Sequence, residues 1–579
     1  MTTSRRDLLR GAALGGISIG ALGACGRATT QGEHTAEATL SPEITTQSIA
    51  EAEKLQRITY TPAERAQLLE NLETEIELTA SVRAHRFSND LAPALQFDPK
   101  LPGQSVGSQK NRLTVFQVPT QALPNNEDDI AFASVAQQGA WLRSGALTSR
   151  ELTEIYLTRI TQLDPKIRAY ITLTPEIARA QAAKADDDFT KGRDRGPLHG
   201  IPYGLKDLAD TKGVLTSWGA TPYRDRIPEN DSDVVRKLQR ARAVMLGKTA
   251  CGALAYGDQW FDARTNNPWN VEEGSSGSSA GSAAATAAGL CSFAIGTETL
   301  GSIVSPAERC GLAGLRPTYG RVSRHGFMAL CWSLDKVGPI CRYVEDTALV
   351  LSELNGYDVD DPGTARVGFS YDGKADLTGM KIGYVPKWFE DEGDNADVAA
   401  LEAARALGAS VEEFPWPEIE FDVLYDVVRI EAAAAFAELT LDNTDDELVW
   451  QEPMAWPNTF RGARLISAVD YVQMDRLRRK LMISMNAAFE GFDALIGPHY
   501  AGSALLATNM TGHPQLAFRS GFAQTPTRGL FDDSLTNETY RTPRGTSLWG
   551  PLFQDGNIIA IGRAIEASLG VADERPPGF

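Results

Sequence analysis

Apolar positions recur at helical spacing in two early stretches of the chain. Leu68, Leu69, Leu72, Ile76 and Leu78 fall near one face of a Glu-rich segment, with Thr61 placed as N-cap and Pro62 at the first helical position. Pro93, Pro99 and Pro102 then interrupt regular structure. A second helix starts near Thr148: Thr148 and Glu151 have capping-box spacing, and Leu152, Ile155, Tyr156, Ile160 and Leu163 form its apolar stripe. Further along, residues 243–246, 382–385 and 494–496 are short apolar runs that read as buried strands. Helical and strand patterns alternate through the body without internal repeats. That alternation predicts a mixed α/β fold around a central sheet.

One stretch, residues 274–306, departs from these patterns: GSSGSSAGSAAATAAGLCSFAIGTETLGSIVSP. Runs of Gly, Ser and Ala are usually flexible linkers. Here residues 290–295 are too apolar for a solvated tether, and the Ala-rich residues 282–290 favour a helix. The stretch therefore reads as a loop, a buried helix, a short apolar strand and a second Gly-rich turn ending at Ser302. Glycine lets a ligand approach the main chain, and successive small residues leave N–H groups free to point at one spot. A serine nucleophile for acyl transfer needs such a place.

The chain has 579 residues, enough for one large or two ordinary domains. A net charge of −19 argues against a nucleic-acid partner, because no basic surplus exists to meet phosphates. The first residues stand apart. Ser4-Arg5-Arg6-Asp7-Leu8-Leu9 is a twin-arginine export pattern, followed by an apolar run over 11–24 that is too short to span a bilayer comfortably. Leu22-Gly23-Ala24-Cys25 resembles a bacterial lipoprotein box, on which Cys25 would carry lipid. A signal that is simply cleaved is the alternative.

Cys251, Cys291, Cys310, Cys331 and Cys341 are odd in number and form no C-x-x-C pair. They read as free buried thiols, with no zinc and no obligatory disulfide. No histidine has metal spacing, and His199 and His513 read as structural hydrogen-bonders. Gly247-Lys248-Thr249 resembles the end of a phosphate loop, but Arg242 stands where that loop needs glycine, so a strand end is the better reading. Trp260, Phe261 and Trp269 fit either an acyl pocket or core packing.

Three segments carry chemistry: Gly200-Ile201-Pro202-Tyr203-Gly204-Leu205-Lys206-Asp207, Gly277-Ser278-Ser279-Ala280-Gly281-Ser282, and Gly296-Thr297-Glu298-Thr299-Leu300-Gly301-Ser302-Ile303. The stretches from Cys310 through Arg316 to Ser323 and from Thr508 through Asn509 to Pro514 accompany them. In this order, with 24 positions between Ser278 and Ser302, they resemble the amidase signature family from about Asp128 to near the C-terminus.

The resemblance implies an amidase signature fold: a central mixed β-sheet flanked by helices, with an N-terminal helical extension. It implies Lys206 as base, Ser278 as a bridging serine on a cis peptide bond, and Ser302 as nucleophile. Backbone N–H groups of Thr299, Leu300, Gly301 and Ser302 would form the oxyanion hole. A lysine must be neutral to act as a base, and the apolar neighbours Ile201, Pro202, Leu205 and Leu208 suit that need. Asp207 is expected to turn its carboxylate toward backbone groups rather than toward Lys206.

Three positions depart from the family pattern: Leu300 where many members have Gly, Val304 where many have Arg, and Glu298 for the commoner Asp. The expected organisation is an export signal over 1–24, a flexible tether over 25–50, a helical extension over 51–125 and the catalytic domain over 126–579.

The expected activity is hydrolysis of a carboxamide C–N bond through an acyl-enzyme, without cofactor or metal. The alternatives are a glutamine-dependent amidotransferase A-type subunit, an esterase or carbamate hydrolase on the same relay, and a lipoprotein binding module with a dead site. The partner is a small-molecule amide. Membrane contact would come only through the lipid anchor, and a homodimer is left open. The substrate is unspecified, with Tyr203, Trp260 and residues 423–460 as candidate pocket walls.

Overall fold

The computed structural model describes residues 44–106, 109–116, 121–261, 263–373, 377–529 and 536–579. The expected export signal, Cys25 and most of the expected tether lie outside them. The chain divides into two compact units, 1–79 and 80–579.

In the first unit, Thr45 caps the helix Thr46–Gln56 in a capping box with Ser48. Residues 46–50, expected to end the tether, are thus helical. The helix Pro62–Arg83 starts where its sequence signals place it. Thr61 N–H donates to Glu64 Oε2 at 2.6 Å, and Glu64 N–H donates to Thr61 Oγ1 at 3.3 Å. Its expected apolar face is not buried: Leu68, Ile76 and Leu78 are exposed. Leu78 follows Ile76 by two residues, which puts the two on different sides of a helix, so no continuous stripe forms.

The second unit is built on an eleven-stranded mixed sheet. Its strands in chain order are β1 (Tyr170–Leu173), β2 (Pro202–Lys206), β3 (Val244–Thr249), β4 (Phe293–Glu298), β5 (Ala313–Arg316), β6 (Lys336–Cys341), β7 (Lys381–Tyr384), β8 (Ser410–Glu413), β9 (Ala494–Gly497), β10 (Gln515–Pro526) and β11 (Thr539–Trp549). Across the sheet they run β8-β7-β9-β11-β10-β5-β6-β4-β2-β3-β1. β2 is parallel to both β3 and β4, while β4, β6, β5, β10 and β11 pair antiparallel in succession. The three apolar runs expected as strands are the cores of β3, β7 and β9.

Every residue of β2 and β3 is buried, which is why the first part of β3 reads as an apolar run; β2, with Lys206 at its end, was not expected as a strand. The helix Ser149–Ile167 carries the expected capping box and buries Leu152, Ile155, Tyr156 and Ile160. The Ala-rich helix runs over Ala280–Ala287 with every residue buried. Its small side chains let it sit close to the strand ends: Gly281 N–H donates to Ala250 C=O at 2.8 Å, and the Thr249 and Ser282 hydroxyls are 2.7 Å apart. The helix therefore fixes the spacing between the Ser278 loop before it and β4 after it.

Candidate active site

Lys206 ends β2, and Thr297 and Glu298 end β4. Because these strands are parallel neighbours, their carboxyl ends emerge side by side, where open α/β sheets place ligands. The loop of residues 275–279 crosses above them. Gly277 and Ser278 are joined by a cis peptide bond, as the family resemblance implies. Gly277 lies so close to the neighbouring loop that a Cβ there would come within 1.9 Å of Gly257 C=O.

Lys206 is fully buried. Its Nζ lies 2.8 Å from Ser278 Oγ, 3.0 Å from Ser279 Oγ and 2.8 Å from Thr297 Oγ1. The proton of Ser279 is already committed: its hydroxyl donates to Thr297 C=O at 3.1 Å while accepting Thr297 N–H at 3.1 Å. Ser279 can therefore only accept from Lys206. If the two N–H bonds of a neutral amine go to Ser279 and Thr297, its lone pair faces Ser278. Burial pulls Lys206 down to about 7, against a smaller upward pull from Cys251, Asp335 and Glu298.

Asp207 faces away. Its Oδ2 accepts Ser217 N–H at 2.9 Å and Ser217 O–H at 2.7 Å, and its Oδ1 lies 3.4 Å from Lys248 Nζ. The backbone bond was expected. The partner Lys248, in the strand end that resembles a phosphate loop, was not. Burial pushes Asp207 up and Lys248 down, and each supplies the charge that holds the other in the core.

Ser302 joins this group through its main chain, its C=O accepting Ser279 N–H at 3.1 Å. The turn before it is open. Among the described residues, the N–H groups of Thr299, Leu300, Gly301 and Ser302 donate to no protein acceptor. Gly301 has φ +90°, a conformation glycine adopts without penalty.

Glu298 holds this turn from behind. Its Oε2 accepts Ile303 N–H at 2.9 Å and Val304 N–H at 3.1 Å, and its Oε1 accepts Arg316 at 3.0 Å and Asn509 at 3.1 Å. Burial alone would raise Glu298. Arg316 and Lys336 outweigh it, together with the two N–H groups, and hold the carboxyl below its ordinary range. Val304, where many relatives carry Arg, is buried, and the positive charge behind the turn comes from Arg316 on β5. Leu300 is half-buried.

A cavity of about 70 Å³ adjoins the turn, lined in part by Thr297, Thr299, Leu208, Met328 and Asp335. At its edge His325, Asp358 and Asp360 bring one potential ligand atom each within 4.8 Å of one another. Arg236 lies 3.3 Å from His325 Nδ1, a guanidinium set against the nitrogen that a cation would need.

Several expected side chains serve the core instead. Tyr203, a candidate pocket wall, is buried and stacked on Phe293, because its position in β2 points it into the sheet packing. Trp269 donates to Cys310 C=O at 2.9 Å. His199 lies 3.1 Å from Ala185 C=O, and His513 lies 2.8 Å from Thr511 Oγ1, with burial pulling His513 down to about 3. All five described cysteines are free and buried. Ser279, Thr297, Arg316 and Asn509 stand inside the motif segments without any local pattern that marks their roles, and no local pattern marks Asp335.

The amidase family profile matches residues 151–558. The chain belongs to the amidase signature family and is an amide-hydrolysing enzyme. The A-type subunit of the glutamyl-tRNA(Gln) amidotransferase of Roseiflexus castenholzii is 41% identical over 483 residues, covering 75% of this chain and 95% of that protein. The crystal structure of a peptide amidase from Stenotrophomonas maltophilia is 30% identical, with TM-score 0.66, covering 77% of this chain and 98% of that one. A bacterial aryl acylamidase, 23% identical with TM-score 0.64, shares the fold, covering 77% of this chain and 99% of that one.

Proposed function

We propose that this enzyme hydrolyses a carboxamide through an acyl-enzyme on Ser302, with Ser278 and Lys206 relaying protons. The observation that carries the reading is the 2.8 Å approach of the buried Lys206 Nζ to Ser278 Oγ, with the proton of Ser279 committed elsewhere. In the forward step Lys206 takes the Ser278 proton as Ser278 takes that of Ser302. Ser302 Oγ attacks the amide carbon. The N–H groups of residues 299–302 receive the developing oxyanion. Ser278 then protonates the leaving nitrogen, recovering its own proton from Lys206, and the C–N bond breaks. Water attacks the ester with the same relay reversed, releasing acid and free Ser302.

The test is product release from a panel of amides graded in acyl-chain length. Stoichiometric acid and amine are expected from the wild type, with loss of both in Ser302→Ala and Lys206→Ala variants that keep the wild-type Tm. Full turnover in either variant would refute the assignment.

A second reading has one observation in its favour, the amidotransferase name of the 41% identical relative. It calls for ammonia release from glutamine, so glutamine belongs in the same panel. The export pattern at Arg5-Arg6 favours hydrolysis outside the cytoplasm, with Cys25 as lipid anchor.

A further inference from the structure

Asp335 lies between the oxyanion turn and the wall of the adjoining cavity, one residue before β6. Its Oδ1 accepts Thr299 O–H at 2.6 Å. Its Oδ2 accepts Leu330 N–H at 2.8 Å and Cys331 N–H at 3.0 Å. Thr299, Leu330 and Asp335 all line the cavity. The loop that Asp335 grips is fixed again one residue earlier: Ala329 N–H donates to Asn89 Oδ1 at 2.7 Å, and Asn89 Nδ2 donates to Ala329 C=O at 3.0 Å.

The turn is thus held from two sides. Glu298 holds its downstream end through Ile303 and Val304, leaving residue 299 ungripped by that carboxylate. Thr299 is the first residue beyond the β4–β6 ladder, which ends at the Glu298–Lys336 pair, and no main-chain hydrogen bond of Thr299 itself is present among the described residues. Beyond the strand, its side-chain bond to Asp335 is the hydrogen bond that holds it. A carboxylate that accepts three hydrogen bonds at 2.6–3.0 Å is a rigid three-point joint. Its placement ties the direction of Thr299 N–H to the position of the cavity wall.

We propose that Asp335 is a positioning residue for amide hydrolysis. Through Thr299 it orients the first N–H of the oxyanion turn, and through Leu330 and Cys331 it locks that turn to the wall of the cavity beside it. The proposal rests on the relay reading above, and it adds a residue that neither touches the substrate carbonyl nor carries a proton.

The experiment compares steady-state kinetics of the wild type, Asp335→Ala, Asp335→Asn, Thr299→Val and the Asp335→Ala/Thr299→Val double variant, with Ser302→Ala as the dead control. Removing one oxyanion donor costs about 10²–10³ in kcat, so misaligning one is expected to cost about 10–100-fold. Asp335→Ala and Thr299→Val should each lose that much kcat with KM changed less than about threefold. The double variant should lose no more than the worse single one. Asp335→Asn should recover most of the loss, because its amide oxygen can accept both N–H groups while its NH₂ meets Thr299 Oγ1.

Unchanged kcat in Asp335→Ala beside a dead Ser302→Ala would overturn the proposal and leave the relay standing. So would additive losses, or an Asn variant as poor as Ala. An active Ser302→Ala would overturn the relay reading itself. If Asp335→Ala fails to fold, Thr299→Val and Asp335→Asn carry the test alone.

Discussion

A lysine in water at pH 7 is neutral about once in 3,000 molecules, given an ordinary value of 10.5. Buried at the end of β2, Lys206 is drawn down to about 7, so about half of the enzyme carries the free base. The gain in competent base is about 10³. Its cost is about 5 kcal/mol of lost cation solvation, borne by the fold. The sign follows directly: only the deprotonated form accepts the Ser278 proton, so activity falls as pH falls.

We expect kcat/KM for an amide substrate to drop tenfold per pH unit below about 7 and to level off above about 8. Asp346, which burial pushes up to about 7, titrates in the same range. It accepts Val135 N–H at 2.9 Å and Ala136 N–H at 3.3 Å at the start of the helix Val135–Ser144, so its titration should move Tm rather than the initial rate. Lys206→Arg should lose at least about 10³-fold at every pH, because a guanidinium does not deprotonate. An ascending limb centred near 9, a flat profile down to pH 5, or an Arg variant with a tenth of wild-type activity would show that Lys206 is not the base.

Glu298→Ala should destabilise the protein by about 3–5 kcal/mol in denaturant unfolding, since it leaves Arg316 charged and unpaired in the core. Glu298→Gln, which can still accept the Ile303 and Val304 N–H groups, should retain more kcat than Glu298→Ala. Gly277→Ala should cut kcat by at least about 10²-fold, because the new methyl would sit 1.9 Å from Gly257 C=O and must push the Ser278 loop off Lys206. Wild-type kinetics in that variant would show that the loop's placement does not matter. In the full-length chain, Cys25→Ser should move the protein from the membrane fraction to the soluble exported fraction, and Arg5→Lys/Arg6→Lys should block export. An unchanged distribution in both would remove the signal reading.

The fold was legible where one physical rule dominates. Thr148 with Glu151 marked a helix start because capping is local, and the apolar run 243–246 marked β3 because a strand buried on both faces is rich in apolar residues. β2, which ends in Lys206, was not marked as a strand. The helix Pro62–Arg83 was visible from its cap, but the destination of its leucines was not, since burial depends on what else reaches that face. The site was half legible. Lys206, Ser278 and Ser302 sit in three segments whose order and spacing resemble the family's motifs. Asp335 and Lys248 are single charged residues whose partners, Thr299 and Asp207, are 36 and 41 positions away in the chain. Only strand order brings them together. Tyr203 went the other way, close in sequence to Lys206 but turned by the strand's alternation into the core.

The mechanism turns on two things: Ser302 Oγ carries the acyl group, and Lys206 makes that oxygen nucleophilic. Intact-protein mass spectrometry after exposure to a fluorophosphonate reads both at once. One adduct per chain is expected, mapped to the peptide bearing Ser302, absent from Ser302→Ala and formed at least about 10²-fold more slowly in Lys206→Ala. An adduct that persists in Ser302→Ala, or wild-type labelling speed without Lys206, would overturn the assignment.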